Sequence, residues 1–378
     1  MSSQAESNRS TGFYAPELDG LRCFAVLAVM ISHFSWTWKH YFDWGGPGVR
    51  LFFVLSGFLI TLLLLRARAR CTEGVQTPGR ALRQFFIRRI FRLWPLYFAS
   101  LAVAYGFHLD GTQTAIAWHA FFATNHYVFS HQDWPVLLSH YWTLAVEQQF
   151  YVLWPFALLW LPGRILKGVA LLMLVSGPFA RWFPLAMGIN TPNYTGVLLP
   201  ACLDFFALGS AVAWAWGSGQ LPRYGSRVQL RVGIVATVVW LLFGALLRIF
   251  DRLPPYWTVY DPFIQGIGFA HLLVYLLRFP DSWLAAILRW APFVFFGQIS
   301  YGIYILHNFM HRFGPSLLRR ITGAAYLTNE VMNIIYYVSL TVAAAVVSYY
   351  FLEVPARRLG HRLAAAGGAS QRNDVTPG

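Results

Sequence analysis

Three side chains that can carry a proton lie inside long apolar stretches of this sequence: His33, Glu147 and His307. Ionisable groups at such positions are costly to bury and are functional-site candidates by default. A neutral imidazole can take a proton from an alcohol, and a nearby carboxylate can orient the ring and stabilise the cation that forms. We therefore interpret His33 as a candidate general base and Glu147 as its candidate partner. The alternative is that each group makes an ordinary hydrogen bond between helices.

A run of basic residues, Arg88-Arg89-Ile-Phe-Arg92, precedes the third apolar stretch. A spacing of three places Arg89 and Arg92 on the same face of a helix. Two neighbouring guanidinium groups can bind a phosphate or a pyrophosphate group. Arg22, at the start of the first apolar stretch, is a third candidate phosphate contact. The alternative is that these residues only anchor the helices at the cytoplasmic surface.

The composition indicates which elements must hold these groups. Of the 378 residues, 57% are hydrophobic and only 12% are charged, with a mean hydropathy of +0.48. A soluble domain carries about 25% charged residues, so a water-soluble globule is excluded, and the 18% aromatic content excludes a disordered chain. The formal net charge of +14 fits basic cytoplasmic loops rather than nucleic-acid binding. We expect an all-α polytopic membrane helical bundle.

Ten segments have the roughly 17 to 25 apolar residues of a membrane-spanning helix. They are 21–38, 49–65, 93–109, 141–161, 169–187, 198–217, 232–250, 262–279, 293–312 and 331–352. The loop after the second segment has eight arginines against one acid, so we place it and both termini in the cytoplasm. Residues 110–140 contain no Lys or Arg and are predicted to form an interfacial or re-entrant helix in the outer leaflet. The membrane domain is expected at 15–362, between disordered cytoplasmic tails at 1–14 and 363–378.

The predicted spans place the three proton-handling side chains at a similar depth. At 1.5 Å per residue, His33 lies roughly 18 Å from the cytoplasmic face and His307 roughly 21 Å. Glu147 lies about 9 Å below the outer face, which is a similar level in a core about 30 Å thick. A shared layer favours a common site over three unrelated hydrogen bonds.

Metal and disulfide chemistry are not indicated by the sequence. The cysteines, Cys23, Cys71 and Cys202, show neither a ligand spacing nor a disulfide framework. Five further histidines lack tight ligand spacing and an interleaved carboxylate pair. They are His108, His119, His126, His131 and His140. We predict no metal site and interpret these rings as polar groups at the interface or facing an acceptor.

Six segments, in this order, resemble the acyltransferase-3 family of integral-membrane acyltransferases, which includes bacterial O-antigen and exopolysaccharide O-acetylases. They are ELDGLR at 17–22 leading to His33, GVRLFFVLSGFLI at 48–60, RIFR at 89–92 followed by Pro95, YWTLAVEQQFY at 141–151 followed by Pro155, SYGIYILH at 300–307, and FLEVP at 351–355. The resemblance covers about residues 17–358, which is nearly the whole chain. Six ordered matches make it specific.

The resemblance implies ten core spans, acyl-CoA as the cytosolic donor, and a hydroxyl acceptor presented at or beyond the membrane. It assigns the family's first-helix histidine to His33, its paired arginines to Arg89 and Arg92, and its motif glutamate to Glu147. Acyl-CoA, most simply acetyl-CoA, is then a co-substrate, and no cofactor is permanently bound.

Two positions depart from the family pattern. Thr143 stands where a serine is usual, and Arg50 stands where many members carry an acidic residue. The second departure puts an acceptor-side role for that position in doubt. Some members continue into a soluble domain, whereas this chain ends soon after Pro355. We expect it to complete the transfer alone or with a separate partner.

These residues predict an order of events. Arg89 and Arg92, with Arg22, hold the phosphates of acyl-CoA at the inner face while the thioester reaches the His33 layer. His33 removes the proton of an attacking hydroxyl group, either in a direct transfer or after a relay that acylates His33 itself. Other residues are predicted to line the substrate or stabilise the oxyanion, although buried packing is the simpler interpretation of the tyrosines. They are Tyr151, Ser300, Tyr301, Tyr304 and His307.

The sequence therefore predicts an acyl-CoA-dependent O-acyltransferase of the bacterial cytoplasmic (inner) membrane. The expected acceptor is a saccharide, such as an exopolysaccharide repeat unit or a lipid-linked sugar, and the alternative is a small natural product such as a macrolide. A membrane transporter is the alternative of another class, because polar midplane residues also suit permeation. A purely structural scaffold is the third alternative, and it is the least consistent with the layered Arg, His and Glu residues. Assembly into a homo-oligomer is compatible with the sequence.

Overall fold

The computed structural model describes residues 13–35, 37, 41, 43–109, 112–189, 192–223, 225–254, 256–323, 327 and 329–366. These residues form sixteen α-helices and no β-strand, which confirms the all-α prediction. In chain order the helices are α1 (Pro16–Phe34), α2 (Gly45–Thr72), α3 (Pro78–Gly106), α4 (Thr112–Ala120), α5 (Thr124–His131), α6 (Tyr141–Trp160), α7 (Gly163–Ala186), α8 (Pro192–Thr195), α9 (Leu203–Gly217), α10 (Arg227–Ile249), α11 (Trp257–Arg278), α12 (Trp283–Leu288), α13 (Ala291–Gln298), α14 (Ser300–Thr322), α15 (Glu330–Ser348) and α16 (Val354–Ala366).

Helices lie over all ten predicted spans. Within the described residues, five helical segments are long and apolar enough to cross a bilayer, which makes this a multi-pass membrane protein. They are Gly45–Thr72, Gly163–Ala186, Leu199–Gly217, Arg227–Ile249 and Glu330–Ala366. The helices over the other five predicted spans fall short of that apolar length or composition. A total of ten spans therefore stays a prediction.

The predicted ninth span, 293–312, is not one continuous helix. It is divided at Ile299 into α13 and α14. Just before the division the backbones are in close contact, because a Cβ atom at Gly297 would lie only 1.8 Å from the carbonyl oxygen of Asp19. Helix α13 therefore lies directly against the start of α1. The division brings Ser300, the first residue of α14, beside Arg22 of α1.

The segment predicted to lie at the outer leaflet contains two short helices. Helix α4 has nine residues and α5 has eight. At 1.5 Å per residue, each is less than about 15 Å long, which is half the thickness of a hydrocarbon core. Neither helix alone is long enough to span, and the interfacial or re-entrant placement of this segment stays a prediction. Residues 110–111 lie outside the described residues.

Helix α2 packs closely against α9 because a glycine of each helix faces the backbone of the other helix. A Cβ atom at Gly57 would lie 2.3 Å from the Phe206 carbonyl oxygen, and one at Gly209 would lie 2.0 Å from the Val54 carbonyl oxygen. Small residues of this kind allow membrane helices to approach one another. By contrast, Leu230 is the only buried residue of α10 among those described, so α10 presents its apolar side chains outward.

The two predicted tails lie partly outside the described residues, namely at 1–12 and 367–378. Their inner ends are placed against the bundle. The Phe13 ring packs edge-on against Phe58, with 5.8 Å between ring centroids. Helix α16 continues to Ala366, into the segment predicted as a tail, because Gly360 lies against Phe91 and Ala364 is buried. The folded region therefore extends at both ends beyond 15–362.

Candidate active site

A cavity of about 60 Å³ lies inside the bundle between α1, α2, α3, α6 and α14. It collects eight of the side chains proposed from the sequence, namely Arg22, Arg89, Arg92, Glu147, Tyr151, Ser300, Tyr301 and Tyr304. The remaining wall consists of Val49, Phe52, Phe53, Ser56, Leu93, Thr143 and Leu144. The apolar residues keep the cavity narrow, while most of its polar groups come from distant parts of the chain.

Two arginines of α3 reach the cavity as their spacing requires. Arg89 and Arg92 are partly buried and line it, whereas the adjacent Arg88 is exposed. The Arg89 guanidinium lies over the Tyr151 ring, 5.4 Å from its centroid. Thr77 caps the start of α3, because its side chain accepts a hydrogen bond from the backbone N–H of Arg80.

Arg22 enters the same cavity from α1. Its Nε donates a hydrogen bond of 3.2 Å to the Ser300 hydroxyl, and its guanidinium lies 5.7 Å from the centroid of Phe52. Within the described part of the chain, the ion pairs shorter than 4.0 Å are Arg50 with Asp261 and Arg181 with Asp204. None of the three cavity arginines is therefore directly neutralised by a carboxylate of these residues.

Glu147 projects from α6 into the cavity, where it belongs to a hydrogen-bonded group with Ser56 and Tyr151. Its Oε1 accepts a hydrogen bond of 2.7 Å from the Ser56 hydroxyl. The Tyr151 hydroxyl in turn donates to the Ser56 oxygen at 3.1 Å. The positive charges of Arg22 and Arg89 act on this carboxylate. Ser56 was not singled out in the sequence, although it lies within the second segment of the family resemblance.

Thr143 and Tyr304 form another part of the cavity wall. Their hydroxyl oxygens lie 2.6 Å apart, and Thr143 also donates to the His140 carbonyl oxygen at 2.9 Å. The position where this chain departs from the family's serine therefore keeps a hydroxyl group in the wall. The Tyr301 hydroxyl instead donates to the Leu93 carbonyl oxygen, which fixes its ring against α3.

Three histidines lie together next to Tyr304. The His33 and His307 rings meet edge to face with 4.8 Å between centroids, and His307 and His140 meet at 4.6 Å. The first contact joins two of the residues assigned to one layer by depth. The sequence does not indicate that His140 belongs to this cluster, because it precedes the apolar run of α6 and is interpreted together with the loop histidines. A contact between His33 and Glu147 stays a prediction.

A second carboxylate, that of Glu353, interacts with the charge of one cavity arginine, Arg92. Glu353 ends the π-helical turn Tyr349–Glu353, is 4% exposed and is close enough to Arg92 and Arg357 for their charges to act on it. Its Oε1 also accepts a weak hydrogen bond of 3.4 Å from Ser348. The FLEVP segment contains this residue, but no local sequence pattern connects it with Arg92.

The histidines considered for a metal site are dispersed. Within the part of the chain that the structure describes, no group of three or more His, Cys, Asp or Glu residues could hold a metal ion. The His119 ring is buried and lies 2.8 Å from the Thr124 hydroxyl, and burial lowers its pKa to about 4. The His131 ring stacks on Tyr127 at 4.2 Å. Each of these rings thus has a local structural role.

The fold and cavity define a multi-pass, all-helical membrane protein with arginines, a carboxylate and histidines in its interior. The chain belongs to the acyltransferase-3 family, because the family profile described as an acyltransferase domain matches residues 16–353. The family identified from its motifs is therefore confirmed.

Two relatives extend this comparison. The chain is 30% identical over 381 residues to the peptidoglycan O-acetyltransferase OatA of Listeria monocytogenes, covering 92% of this chain and 56% of the relative. It is 28% identical over 373 residues to the O-acetyltransferase OatA of Staphylococcus aureus, covering 92% and 58%. The chain thus spans a little over half the length of these relatives. No solved structure matches it.

Proposed function

We propose that this protein is a membrane O-acetyltransferase that moves an acetyl group from cytosolic acetyl-CoA to a hydroxyl group of a cell-surface saccharide. The observation that carries the proposal is the cavity itself. Three arginines line it, and no described carboxylate forms an ion pair with them within 4.0 Å. Its wall also includes Tyr304, whose ring contacts His307 of the histidine cluster. Membership of the acyltransferase-3 family supports acyl transfer as the reaction.

The donor side of the proposal depends on charge. Guanidinium groups bind phosphate by paired, charge-assisted hydrogen bonds, and coenzyme A carries three phosphate groups. Arg89 and Arg92 lie on one helix face, and Arg22 approaches them from another helix. In the topology predicted from the basic loops, this end of the cavity opens toward the cytoplasm. Acyl-CoA would therefore enter from there with its thioester leading.

The reacting groups then meet near Tyr304. His33 takes the proton of the acceptor hydroxyl while its oxygen attacks the thioester carbonyl. The new C–O bond forms, the C–S bond breaks, and the proton passes from His33 to the departing sulfur to give free coenzyme A. The hydroxyl of Tyr304 or Thr143 would stabilise the negative charge on the carbonyl oxygen during the attack.

The acceptor side follows the relatives. Their names describe O-acetyl transfer, in one case to peptidoglycan. We therefore propose a glycan of the bacterial surface or its lipid-linked precursor as the acceptor, and the cytoplasmic membrane with both termini inside as the location.

The proposal is tested with purified protein in lipid nanodiscs, acetyl-CoA labelled in its acetyl group, and a panel of peptidoglycan fragments, lipid-linked sugars and exopolysaccharide oligomers. We expect acceptor-dependent release of coenzyme A and a labelled ester on one acceptor. Arg88→Ala is the matched control, since Arg88 is exposed beside the cavity arginines. Solute exchange in vesicles without consumption of acetyl-CoA would indicate a transporter and contradict the proposal.

The order of the reaction is open to a kinetic test. Direct transfer requires both substrates to be bound together, whereas an acylated His33 would allow coenzyme A to leave first. Direct transfer predicts intersecting lines in a double-reciprocal plot, and the acyl-enzyme route predicts parallel lines. Isolation of labelled protein in the absence of acceptor would favour the acyl-enzyme route.

A further inference from the structure

A second cavity, of about 30 Å³, lies between the start of α2 and the helices α10 and α11. We call it the outer cavity. Arg50 in its wall precedes Arg70, at the basic end of the same helix, by about 30 Å of helix length. In the topology predicted from the basic loops, the outer cavity therefore faces away from the cytoplasm. Its polar wall consists of Asp43, Arg50, Arg248, Asp261 and Gln265.

Arg50 is held in the outer cavity by two residues of α11. Its Nη1 donates a hydrogen bond of 2.7 Å to Oε1 of Gln265 and lies 3.5 Å from Oδ2 of Asp261. The Gln265 amide nitrogen in turn donates to both carboxylate oxygens of Asp261, at 3.0 Å each. The arginine that departs from the family pattern thus has fixed partners, and it stays 18% exposed.

Trp257 gives the outer cavity an apolar wall. Its ring stacks on Trp240 with 5.0 Å between centroids and an angle of 7° between the planes. The Trp240 indole N–H donates to Oδ1 of Asp261 at 2.8 Å, which joins the aromatic pair to the polar wall. Gly244 leaves room for the Trp257 ring, since a Cβ atom there would lie 2.7 Å from it. An apolar wall with a few placed polar groups is typical of small-molecule sites.

Two charged side chains of the outer cavity have bonding capacity that the protein does not use. Asp43 accepts a hydrogen bond of 3.1 Å from the Gly46 backbone through Oδ1, whereas its Oδ2 accepts none from the described residues. Arg248 is partly buried and makes neither a hydrogen bond nor an ion pair with a described residue. A carboxylate oxygen and the N–H donors of a guanidinium group are therefore open to a ligand.

The outer cavity lies beside the proposed reacting groups. A Cβ atom at Gly45 would lie 2.9 Å from the Ser32 hydroxyl oxygen and 3.9 Å from Oδ1 of Asp43. Asp43 is therefore close to Ser32, the residue that precedes His33 in α1. Phe52, on the same helix as Arg50, lines the cavity of the arginines. The start of α2 thus contributes to the walls of both cavities.

We propose that the outer cavity binds the acceptor saccharide, an inference that rests on the proposed acetyl transfer. A volume of about 30 Å³ has room for about two water-sized groups. One polar substituent therefore enters the cavity while the sugar ring lies at its mouth. Arg248 binds an oxyanion of the acceptor, which is a carboxylate on the sugar or a phosphate of a lipid-linked sugar. Asp43 accepts hydrogen bonds from neighbouring hydroxyl groups and so directs the acceptor toward His33.

The charges of the wall favour a saccharide over a small polyanion. Arg50 and Asp261 form an ion pair, and Arg248 and Asp43 add one charge of each sign, so the charges of the wall balance. A polyanion would meet the carboxylate of Asp43 as well as the guanidinium group of Arg248. A ligand with hydroxyl donors for Asp43 and a single oxyanion for Arg248 satisfies both groups.

Saccharide binding to the protein in lipid nanodiscs tests the role of Arg248. The ligands are the disaccharide of N-acetylglucosamine and N-acetylmuramic acid, which carries a carboxylate, diacetylchitobiose, which lacks it, and diacetylchitobiose linked to a polyprenyl diphosphate. We expect the wild type to bind at least one anionic ligand about tenfold more tightly than free diacetylchitobiose. Arg248→Gln should remove that preference. Arg252→Gln, at an exposed position of the same outer end, is the matched control and should retain it.

Two further substitutions test the cavity itself. Asp43→Asn keeps an acceptor for the Gly46 backbone but removes the charge, and Ala245→Leu fills the outer cavity, which Ala245 lines. Each should raise the saccharide Kd about tenfold. Ala236→Leu, on the exposed side of α10, is the matched control and should stay within about twofold. The Kd for coenzyme A should be unchanged in every variant, because none of these residues lines the cavity of the arginines.

Each outcome decides the inference. A preference for the muramic acid disaccharide places the oxyanion on the sugar, and a preference for the polyprenyl diphosphate form alone places it on the lipid carrier. The proposal is overturned if the wild type prefers neither anionic ligand, if Arg248→Gln keeps the preference, or if saccharide and coenzyme A affinity fall together. If Ala245→Leu does not fold, Arg248→Gln beside Arg252→Gln decides. A wild type that binds saccharide but transfers no acetyl group would count against the proposed function instead.

Discussion

Arg22 of α1 donates a 3.2 Å hydrogen bond from Nε to the hydroxyl of Ser300, the first residue of α14. The bond joins residues 278 positions apart and holds the guanidinium toward the cavity. Ser300 follows directly on Ile299, where α13 and α14 are divided. The orientation of one cavity arginine thus involves a hydroxyl group of a helix that is distant in the sequence.

Loss of the Ser300 hydroxyl should loosen Arg22 without removing its charge. For Ser300→Ala we expect the Kd for coenzyme A to rise about three- to tenfold, the size of the net contribution of one typical hydrogen bond, with kcat nearly unchanged. Isothermal titration with coenzyme A and steady-state kinetics measure the two quantities. An unchanged Kd would show that Arg22 does not contact the donor.

The two cavity arginines of α3 should be far more sensitive than their exposed neighbour. Arg89→Ala and Arg92→Ala each remove charge-assisted bonds to phosphate, which predicts a loss of roughly 10- to 100-fold in kcat/KM for acetyl-CoA. Arg88→Ala should stay within about twofold of the wild type. Equal losses in all three variants would mean that overall basic charge, rather than cavity position, determines donor binding.

Neutralising Glu147 should separate donor binding from catalysis. Its carboxylate lowers the positive potential set up by Arg22 and Arg89, so Glu147→Gln should bind the polyanionic coenzyme A more tightly by a fewfold. We expect kcat to fall in the same variant. Ser56→Ala, which leaves the charge in place, should keep the Kd within about twofold. Weaker coenzyme A binding by Glu147→Gln would contradict this electrostatic assignment.

The approach of α2 to α9 predicts a stability defect. Any side chain at Gly57 would clash with the backbone of Phe206, since even a Cβ atom would lie 2.3 Å from its carbonyl oxygen. Gly57→Val should therefore destabilise the protein by about 1 to 3 kcal/mol. Gly79→Ala is the control, because nothing lies within 4 Å of a Cβ atom there. Thermal unfolding of the detergent-solubilised variants measures the difference, and equal melting temperatures would contradict the packing.

The positions of the helices could largely be predicted from the sequence because helices lie over all ten long apolar segments. The spacing of Arg89 and Arg92 likewise required them to share a helix face. The close approach of Gly297 to the Asp19 backbone, beside the division at Ile299, could not be predicted. That contact joins segments nearly 280 residues apart, and no local sequence pattern encodes it.

For the site residues, the sequence predicts the depth of a side chain in the membrane but not the direction in which it points. Counting residues gave the depths of His33 and His307, whose rings meet in the structure. Depth does not determine the direction in which a side chain leaves its helix. Glu147 was assigned to a similar level but projects toward Ser56. His140 could not be anticipated as a neighbour of His307, because it lies just before the apolar run that defines α6.

In the proposed mechanism, the His33 imidazole opens a thioester that enters on the arginine side. The most direct measurement uses proteoliposomes with labelled acetyl-CoA on the arginine side and the glycan acceptor on the other, comparing the wild type with His33→Ala. We expect labelled ester on the far-side glycan for the wild type and none for His33→Ala, although the variant still binds coenzyme A. Wild-type ester formation by His33→Ala would contradict it.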